Sequence, residues 1–549
     1  MTSPASEAGG YDASVAQDTR ERSLWAWGWR TKFPDDGARS GLAQLARAII
    51  PTAQPALRLL PSDEPTVVAP AVDVPAALAP FASQSPHDRA MRSRGRAFPD
   101  LVAGFAGDYA GAPDLVVRPR DDAEVARVLE VSAERGWAVV PFGGGTSVVG
   151  GVDSALARGE RPAVVSLDLG ALAGVREVDA VSRLARIGAG TLGPALEEEL
   201  QTHGLTLRHY PQSFEFSTLG GWLATRAGGH YATGPTRIDE LAHSLTMITP
   251  RGTLATHRHP GSGAGPEPAR LVLGSEGALG VITEAWMRVV PKPRWRATAS
   301  VAYKDFDAGV AAARALAQSG LSPSNARLLD GNEARLHRVR FDGSSVLLIG
   351  FESADHPLGA WLARAVELAK DHGGEIVAGP SEADDAARTG AAGAWRQAFF
   401  DAPYLQSAML SIGVLSDTFE TACTWAQFPE LHATVTAAVS RALDEECGGG
   451  VVSCRFTHVY PDGPAPYYTF VGALRPGGEL AQWRALKGAA SDALTAAGGT
   501  ITHHHAVGRT HRPWYDRERP TLFGDVLAAA KRELDPRGIL NPGVLVGPV

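Results

Sequence analysis

Cysteine is scarce in this chain, since 549 residues include only Cys423, Cys447 and Cys454. An odd and sparse set does not build the paired framework of a disulfide-stabilised secreted protein, and its spacing is not that of a zinc site. We therefore expect free thiols in a reducing compartment. No metal is predicted.

Excess basic charge and long apolar runs are lacking as well. Lys and Arg number 52 against 60 Asp and Glu, a formal net charge of −8, whereas nucleic-acid binders concentrate cations against phosphate. No run reaches the ~18 apolar residues that span a bilayer, and MTSPASEAGG lacks the basic and apolar regions of a signal peptide. We expect a cytoplasmic protein with no transmembrane segment and no nucleic-acid partner.

The length instead requires two or three domains, because one core does not grow to this size. Residues 1–20 are small and polar, which predicts disorder. Three tryptophans within residues 23–35 predict a segment held by aromatic burial, and the Pro-rich and Ala-rich residues 51–86 predict irregular wrapping. The Pro-Lys-Pro at 291–293 predicts a domain boundary.

Strand and helix patterns alternate on both sides of that boundary. LVVRP predicts a strand, and DDAEVARVLEVSAERG predicts a helix capped by Asp121 or Asp122 and ended by Gly136. Beyond residue 293, strands and two helices predict a sheet covered by helices on one face. VVSCRFTHVY and YYTFVGAL predict a hairpin.

The strongest local signal is PFGGGTSVVGG, which begins at Pro141. Three consecutive glycines directly after a strand let backbone N–H groups approach phosphate oxygens with no Cβ in the way. A second cluster matches G-x-G-x-x-G at Gly188, Gly190 and Gly193 and leaves a nicotinamide site open as a weaker alternative. Two more clusters, FEFSTLGGWLATRAGG and GSEGALGVITE, spread the set over ~150 residues, wider than one βαβ unit of ~30.

PFGGGTS, FSTLGGWLATRAGG and GSEGALGVITE, in this order and spacing, resemble the FAD-binding domain of the vanillyl-alcohol oxidase relatives. SLWAWGW, DTFETACTW, SCRFTHVY and HHHAVG resemble the alkyldihydroxyacetonephosphate synthase group within them. The resemblance implies an α+β fold: a two-subdomain FAD-binding domain of the p-cresol methylhydroxylase type and an α+β cap domain with an antiparallel sheet. It predicts an N-terminal segment over 1–85, the FAD-binding domain over 86–293, the cap over 294–500 and a returning C-terminal segment over 501–549.

The cofactor that the resemblance implies is non-covalently bound FAD, held by four segments. Their residues are Pro141, Phe142, Gly143, Gly144, Gly145, Thr146 and Ser147; Gln212, Ser213, Phe214, Glu215, Phe216, Ser217 and Thr218; Thr225, Arg226, Ala227 and Gly228; and Glu276, Gly277, Ala278, Leu279, Gly280, Val281 and Ile282.

The family exchanges the acyl chain of acyl-dihydroxyacetone phosphate for a fatty alcohol. Its catalytic tyrosine matches Tyr467, and its histidine triplet matches His503, His504 and His505. If the triplet is extended, alternate side chains face opposite ways, so proton transfer is favoured over metal binding. Arg327 matches an arginine beside the flavin, where a fixed cation stabilises negative charge; a salt bridge with Asp330 is its structural alternative.

Gln406 departs from the synthases, which carry a phosphate-binding arginine at this point. A neutral amide does not reproduce the charged, bidentate grip of guanidinium, although Arg455, Arg509 or Arg512 could compensate. Gln406 therefore favours an alternative function, a FAD-linked oxidase or dehydrogenase of a 2-hydroxy acid or alcohol. A third hypothesis is a flavin-binding or lipid-binding protein that has lost its chemistry.

The partners that the resemblance implies are a small-molecule substrate with a long acyl or alkyl chain, peripheral contact with a membrane, and a second copy of the chain in a homodimer.

Overall fold

A computed structural model describes residues 21–231, 233–382 and 401–547. The segment predicted to be disordered, residues 1–20, lies outside these ranges. The strands are β1 Ala82–Ser83, β2 Leu115–Val117, β3 Ala138–Phe142, β4 Val164–Asp168, β5 Val175–Asp179, β6 Leu184–Gly188, β7 Leu205–Thr206, β8 Ala242–Thr249, β9 Gly252–Ala255, β10 Val281–Arg288, β11 Val290–Pro291, β12 Trp295–Tyr303, β13 Asn325–Leu329, β14 Ser345–Ser353, β15 Glu375–Glu382, β16 Val414–Glu420, β17 Gly450–Val459 and β18 Pro464–Ala473.

Helices connect and cover these strands. The α-helices span Asp36–Ile49, Pro86–Met91, Phe98–Phe105, Asp122–Arg135, Ser154–Arg158, Gly193–Gln201, Leu219–Thr225, Ile238–Leu241, Pro268–Val272, Phe306–Gln318, Gly331–Leu336, Gly359–Asp371, Phe428–Cys447, Glu479–Ala496, Arg512–Glu518 and Thr521–Leu534; Arg30–Lys32 and Ala79–Phe81 are 3-10 turns. No helix within the described ranges is long and apolar enough to cross a membrane.

Two sheets follow one another in the first half of the chain. The first has the order β1-β2-β4-β3, with β2, β4 and β3 parallel, and the second has the antiparallel order β5-β6-β10-β8-β9. The helix Asp122–Arg135 crosses between β2 and β3 as predicted. Asp121 accepts a hydrogen bond from the backbone N–H of Glu124, and Gly136 ends the helix at φ 67°.

The second glycine cluster lies in the antiparallel sheet, which does not fit a nicotinamide site. Gly188 ends β6, whose neighbours β5 and β10 both run antiparallel to it. A Cβ at Gly188 or Gly190 would lie 2.2 or 2.0 Å from a backbone carbonyl oxygen, of Leu172 or Leu169. These glycines allow close backbone packing, whereas the nicotinamide motif needs a parallel βαβ unit.

A seven-stranded sheet of order β15-β12-β14-β13-β17-β18-β16 fills the second half. Successive side chains along each strand point to opposite faces of this sheet. On β18, Tyr468 and Phe470 pack beneath the helices Phe428–Cys447 and Glu479–Ala496, each burial contributing about 1.5–3 kcal/mol. Tyr467 and Thr469 point to the opposite face, which lines the main cavity. The sheet with helices on one face is as predicted.

Both ends of the described chain bind back to the body. Trp25, Trp27 and Trp29 are buried, as their clustering predicted. Near the C-terminus, Leu540 forms a parallel β-bridge with Val139 of β3. The domain limits themselves stay a prediction; the short strand Ala82–Ser83, before the predicted limit at 86, already pairs with β2.

Candidate active site

The main cavity lies where the glycine clusters face the open side of the seven-stranded sheet. All four predicted segments contribute to its wall. The predicted residues on the wall are Pro141, Phe142, Gly143, Gly144, Gly145, Thr146, Ser147, Gln212, Ser213, Ser217, Thr218, Thr225, Ala227, Gly228, Glu276, Gly277, Gly280, Val281, Ile282, Arg327, Gln406, Tyr467, His504 and His505.

Seven other predicted residues lie off this wall. The side chain of Phe216 packs against Trp29, Glu215 bonds to Lys32, and Arg226 pairs with Asp239. Phe214 packs on Trp222, and Ala278 and Leu279 are in the buried core. His503 turns away toward Tyr460. These residues shape the segments that carry the wall, and their role in binding the cofactor stays a prediction.

The glycine loop after β3 presents bare backbone to the cavity. Its rear is pressed against the third cluster: a Cβ at Gly144 would lie 1.8 Å from the Phe216 carbonyl oxygen, and one at Gly143 would lie 2.3 Å from the Thr218 hydroxyl. Gly145 has φ 66°, which disfavours other residues. The cradle therefore suits the pyrophosphate of a dinucleotide, which needs backbone donors close to its oxygens.

Tyr467 stands at the centre of the polar part of the cavity. Its hydroxyl is 2.9 Å from the Thr418 hydroxyl, and the guanidinium carbon of Arg455 lies 3.9 Å from the ring centre. The register sets this pair, because Arg455 is opposite Tyr467 between β17 and β18. Burial raises the pKa of the Tyr467 phenol although Arg455 opposes the rise, so the phenol is protonated at neutral pH.

The histidine triplet forms a turn around Glu420, which differs from the extended segment considered from sequence. The backbone N–H groups of His503, His504 and His505 all donate to the Glu420 carboxylate, at 2.6, 3.1 and 3.0 Å. The Thr502 hydroxyl adds a fourth hydrogen bond at 2.6 Å. The carboxylate ends β16 and is only 2% exposed. One buried anion thus fixes the position of all three imidazoles.

Burial and charge keep these imidazoles neutral. Desolvation lowers the pKa of His504 and brings that of His503 to about 3, while Glu420 opposes both shifts. Burial raises the pKa of Glu420, yet that pKa is held well below its usual range; while the imidazoles are neutral, the Thr502 hydroxyl and the three backbone N–H groups are the donors that stabilise the carboxylate. The loop therefore offers two neutral rings to the cavity, those of His504 and His505, each with one N–H and one lone pair.

His458 joins the triplet from β17. Nitrogens of His458, His503 and His504 lie within 4.8 Å of one another, a spacing that a metal ion could bridge. However, His458 is hydrogen-bonded to the Gly229 carbonyl oxygen and to Thr457, and His503 is bonded to Tyr460 and His504. The cationic Arg237 also donates to the His503 carbonyl. These contacts favour a hydrogen-bonded network over a cation site.

Two buried arginines bring positive charge to the cavity. Arg327 on β13 is 0% exposed and donates to the His230 carbonyl. Its structural alternative placed it with Asp330, but that carboxylate caps the next helix and accepts from the Glu333 and Cys454 N–H groups. Arg455 pairs with the buried Glu333. Of Arg455, Arg509 and Arg512, the three proposed to compensate for Gln406, Arg455 alone lies on the cavity wall.

Gln406 is fixed by hydrogen bonds to its neighbours. Its oxygen accepts from the Trp27 indole at 3.2 Å, and its nitrogen lies 3.1 Å from an Asp417 carboxylate oxygen and 3.2 Å from the Ser416 carbonyl. Asp417 in turn accepts from Trp483 and lies 3.7 Å from Lys487. The Asp417 carboxylate therefore lies beside the Gln406 amide. This corner of the cavity binds an anion less well than it would with a guanidinium at residue 406.

Two side chains at the site, His458 and Glu420, were not predicted from sequence. His458 was inside a predicted strand but, by alternation, not on the same face as Arg455 and Thr457. A β-bulge between Phe456 and His458 shifts the register and brings both Thr457 and His458 to the wall. Glu420 was inside the quoted motif DTFETACTW, yet only the fold shows that it meets residues 83 positions later.

Comparisons with known proteins agree with this geometry. Residues 113–257 match the family model "FAD binding domain", and residues 292–545 match "FAD linked oxidases, C-terminal domain". An alkyldihydroxyacetonephosphate synthase of Caenorhabditis elegans is 30% identical over 494 residues, 83% of this chain and 80% of that protein. One of Dictyostelium discoideum is 29% identical over 485 residues, 83% and 77% of the two chains.

A solved alkyldihydroxyacetonephosphate synthase structure superposes with TM-score 0.79 at 24% identity, covering 95% of this chain and 98% of that one. The p-cresol methylhydroxylase structure gives TM-score 0.63 at 14% identity, over 86% and 95%. Fold, cradle and family models define a FAD-dependent enzyme of the p-cresol methylhydroxylase fold class. Within that class, the chain belongs to the alkyldihydroxyacetonephosphate synthase family.

Replacing one glycine of the cradle should release the cofactor. In Gly144→Ala the new Cβ must displace the loop or the Phe216 carbonyl, and we expect FAD binding to weaken by roughly 10-fold or more, as backbone strain of about 1–3 kcal/mol would give. The measurement is fluorescence titration of the apoprotein with FAD. Gly488→Ala, inside the helix Glu479–Ala496 with nothing within 4 Å, is the control; equal affinity of the two variants would contradict the cradle.

Proposed function

We propose that this chain exchanges the acyl chain of an acyl-dihydroxyacetone phosphate for a fatty alcohol and so forms an ether bond. Membership of the family supports the reaction. The observation that carries it is the convergence of Tyr467, His504 and His505 on the same wall as the FAD cradle. When bound, FAD would supply an electron-poor ring system.

The chain's own residues divide the work by their protonation. The exchange takes up an alcohol and releases a carboxylate, so one proton leaves the alcohol oxygen in each turnover. The neutral imidazole of His504 is suited to accept it, because its pKa is lowered. Tyr467, whose burial keeps the phenol protonated, is suited to turn its O–H from Thr418 toward the oxygen of the departing acyl group as a hydrogen-bond donor. It keeps its proton, so the acyl group leaves as a carboxylate and the one proton released is that on His504. Arg327 and Arg455 stabilise negative charge in the cavity.

The substrate is tested directly. The holoenzyme is incubated with a fatty alcohol and an acyl-dihydroxyacetone phosphate, and mass spectrometry follows the alkyl product and the released fatty acid. In parallel, the bound flavin is mixed anaerobically with D-lactate and other 2-hydroxy acids. Formation of the ether product, together with no bleaching of the flavin by the 2-hydroxy acids, supports the proposal. Bleaching by a hydroxy acid with no ether product would instead assign the second candidate, a dehydrogenase, which the uncharged Gln406 favours.

Gln406→Arg is expected to lower the KM for the phosphate-bearing substrate about 10-fold, because a charge-assisted hydrogen bond is worth about 1.5–3 kcal/mol and Asp417 competes for part of it. The KM of a matched acyl-dihydroxyacetone without phosphate should not change. Equal effects on both substrates would show that the residue does not face the phosphate.

A further inference from the structure

A line of hydrogen-bonded side chains leads away from the catalytic cavity. It starts at His504 on the cavity wall, whose Nδ1 lies 3.0 Å from Nδ1 of His503. Nε2 of His503 lies 2.8 Å from the hydroxyl of Tyr460. That hydroxyl is 3.2 Å from Oγ1 of Thr236. The line therefore passes from the triplet loop, through the end of the hairpin, to the first half of the chain.

The line ends at the surface. The Thr236 hydroxyl lies 3.5 Å from Oε2 of Glu240, the longest step of the series. The same carboxylate oxygen accepts backbone N–H groups of Thr236 and Arg237 at 2.8 and 2.9 Å, which hold it in place. Glu240 is exposed, whereas Thr236 is buried and Tyr460 is half-buried. A buried imidazole is thus linked to a carboxylate in contact with water.

Each group on the line can both give and accept a proton. His504 Nδ1 is also 3.5 Å from Glu420 Oε2, which favours an N–H at this atom. His503 then accepts at Nδ1 and donates from Nε2 to Tyr460, which donates to Thr236, which donates to Glu240. Hydroxyls and neutral imidazoles have both a donor and an acceptor site, so the whole set can shift by one proton.

We propose that His504, His503, Tyr460 and Thr236 form a relay that carries a proton from the catalytic cavity to Glu240. Its source of protons rests on the proposed function, which releases one proton per turnover. His504 Nε2 takes the proton of the alcohol, each N–H or O–H along the line passes its own proton outward, and Glu240 receives one and gives it to water. No electron moves. The Tyr460 and Thr236 hydroxyls reset by rotation, whereas each imidazole resets when it loses the proton on one nitrogen and regains one on the other by exchange with solvent.

The charges around this line of side chains favour transfer of a proton along it over binding of a proton at His503. His503 faces Glu420, Arg237, His458 and His504, and burial lowers its pKa to about 3. A proton therefore does not rest on His503 at neutral pH. Burial also raises the pKa of Tyr460, so its hydroxyl keeps a proton to hand on. A concerted shift avoids a charged intermediate at either residue.

The relay is tested by breaking one link without changing shape. Thr236→Val removes the hydroxyl, Thr236→Ser keeps it, and Tyr460→Phe removes the second link. Tyr303→Phe, which deletes a hydroxyl bonded to the Ala369 carbonyl in the cap sheet, is the control. The holoenzyme is assayed for kcat, KM and the solvent deuterium isotope effect. In protein labelled with ¹⁵N in histidine, NMR follows exchange of the His504 N–H in deuterium oxide.

We expect Thr236→Val and Tyr460→Phe to lower kcat about 10- to 100-fold, at or below the lower limit of what a proton-transfer group in direct contact with the substrate contributes. In these two variants the solvent isotope effect should rise, KM should stay unchanged and exchange of the His504 N–H should slow. Thr236→Ser and Tyr303→Phe should resemble the unmodified enzyme in all of these measurements. A Thr236→Ser variant as slow as Thr236→Val would make the residue structural and overturn the relay, as would an unchanged kcat and isotope effect in Thr236→Val. If the unmodified enzyme makes no ether product, the proposed function fails, and unchanged His504 exchange in Thr236→Val then overturns the relay separately.

Discussion

Tyr467→Phe is expected to lower kcat for ether formation by about 100- to 1,000-fold, the range that one hydrogen-bond donor to a developing negative charge contributes, while FAD stays bound. The ring remains under the Arg455 guanidinium, and only the hydroxyl that bonds to Thr418 is lost. Because burial raises the pKa of this phenol, the unmodified enzyme holds the proton that the variant lacks. Single-turnover mass spectrometry measures the chemical step, and flavin absorbance measures cofactor content.

The neighbouring tyrosine supplies a matched control. Tyr468 is fully buried on the other face of the same strand, and its hydroxyl meets His432 at 3.1 Å. Tyr468→Phe removes an equivalent atom from the helix-covered side, so we expect a loss of about 1 kcal/mol of stability and little change in kcat. Similar kcat values for the two variants would contradict the proposed role of Tyr467.

The cofactor cradle was accessible from sequence because its chemistry is local. Consecutive glycines after a strand predict a phosphate-binding backbone with no knowledge of the rest of the chain, and the loop at Gly143, Gly144 and Gly145 lies on the cavity wall. The strand alternation of VVSCRFTHVY and YYTFVGAL also predicted the hairpin. The structure adds the register of that hairpin, which places Arg455 opposite Tyr467.

The catalytic surroundings were not accessible in the same way because they depend on register shifts and on contacts between distant segments. A bulge at His458 has no clear sequence signal. From sequence the triplet was considered as an extended segment with alternating faces. In the structure its three backbone N–H groups bind Glu420 of β16, and the segment forms a turn. The path from His503 to Tyr460 and Thr236 joins three segments whose proximity only the fold determines.

Glu420→Gln is expected to cost about 2 kcal/mol of stability and to lower kcat at least 10-fold. The amide keeps one oxygen for the donors at Oε1, but its NH₂ group faces the His503 N–H that now bonds to Oε2. An unsatisfied buried donor costs about 1–3 kcal/mol, and the imidazoles lose the anchor that sets their positions. Thermal unfolding of the holoenzyme and kcat are the measurements. Glu284→Gln, at a partly exposed carboxylate that pairs with Arg176 and Arg186, is the control and should change neither by much.

The dependence on pH separates the carboxylate from the histidines it holds. The folded pKa of Glu420 lies well below its ordinary value, so its stabilisation is complete above about pH 4.5 and is lost as the pH falls toward the folded pKa. The triplet histidines also have lowered pKa values in the folded protein. As the pH falls, the histidines of the unfolded chain therefore take up protons before those of the folded chain. The unmodified enzyme and Glu420→Gln both lose stability below about pH 6.5 for this reason. The difference in melting temperature between the unmodified enzyme and Glu420→Gln should therefore stay constant from pH 8 to about pH 5 and narrow below it. A difference that instead widens as the pH falls from 8 through about 6.5 would mean that the carboxylate stabilises charged imidazoles, because a histidine whose folded pKa is raised adds stability when it takes up its proton, and the neutral-ring mechanism would be wrong.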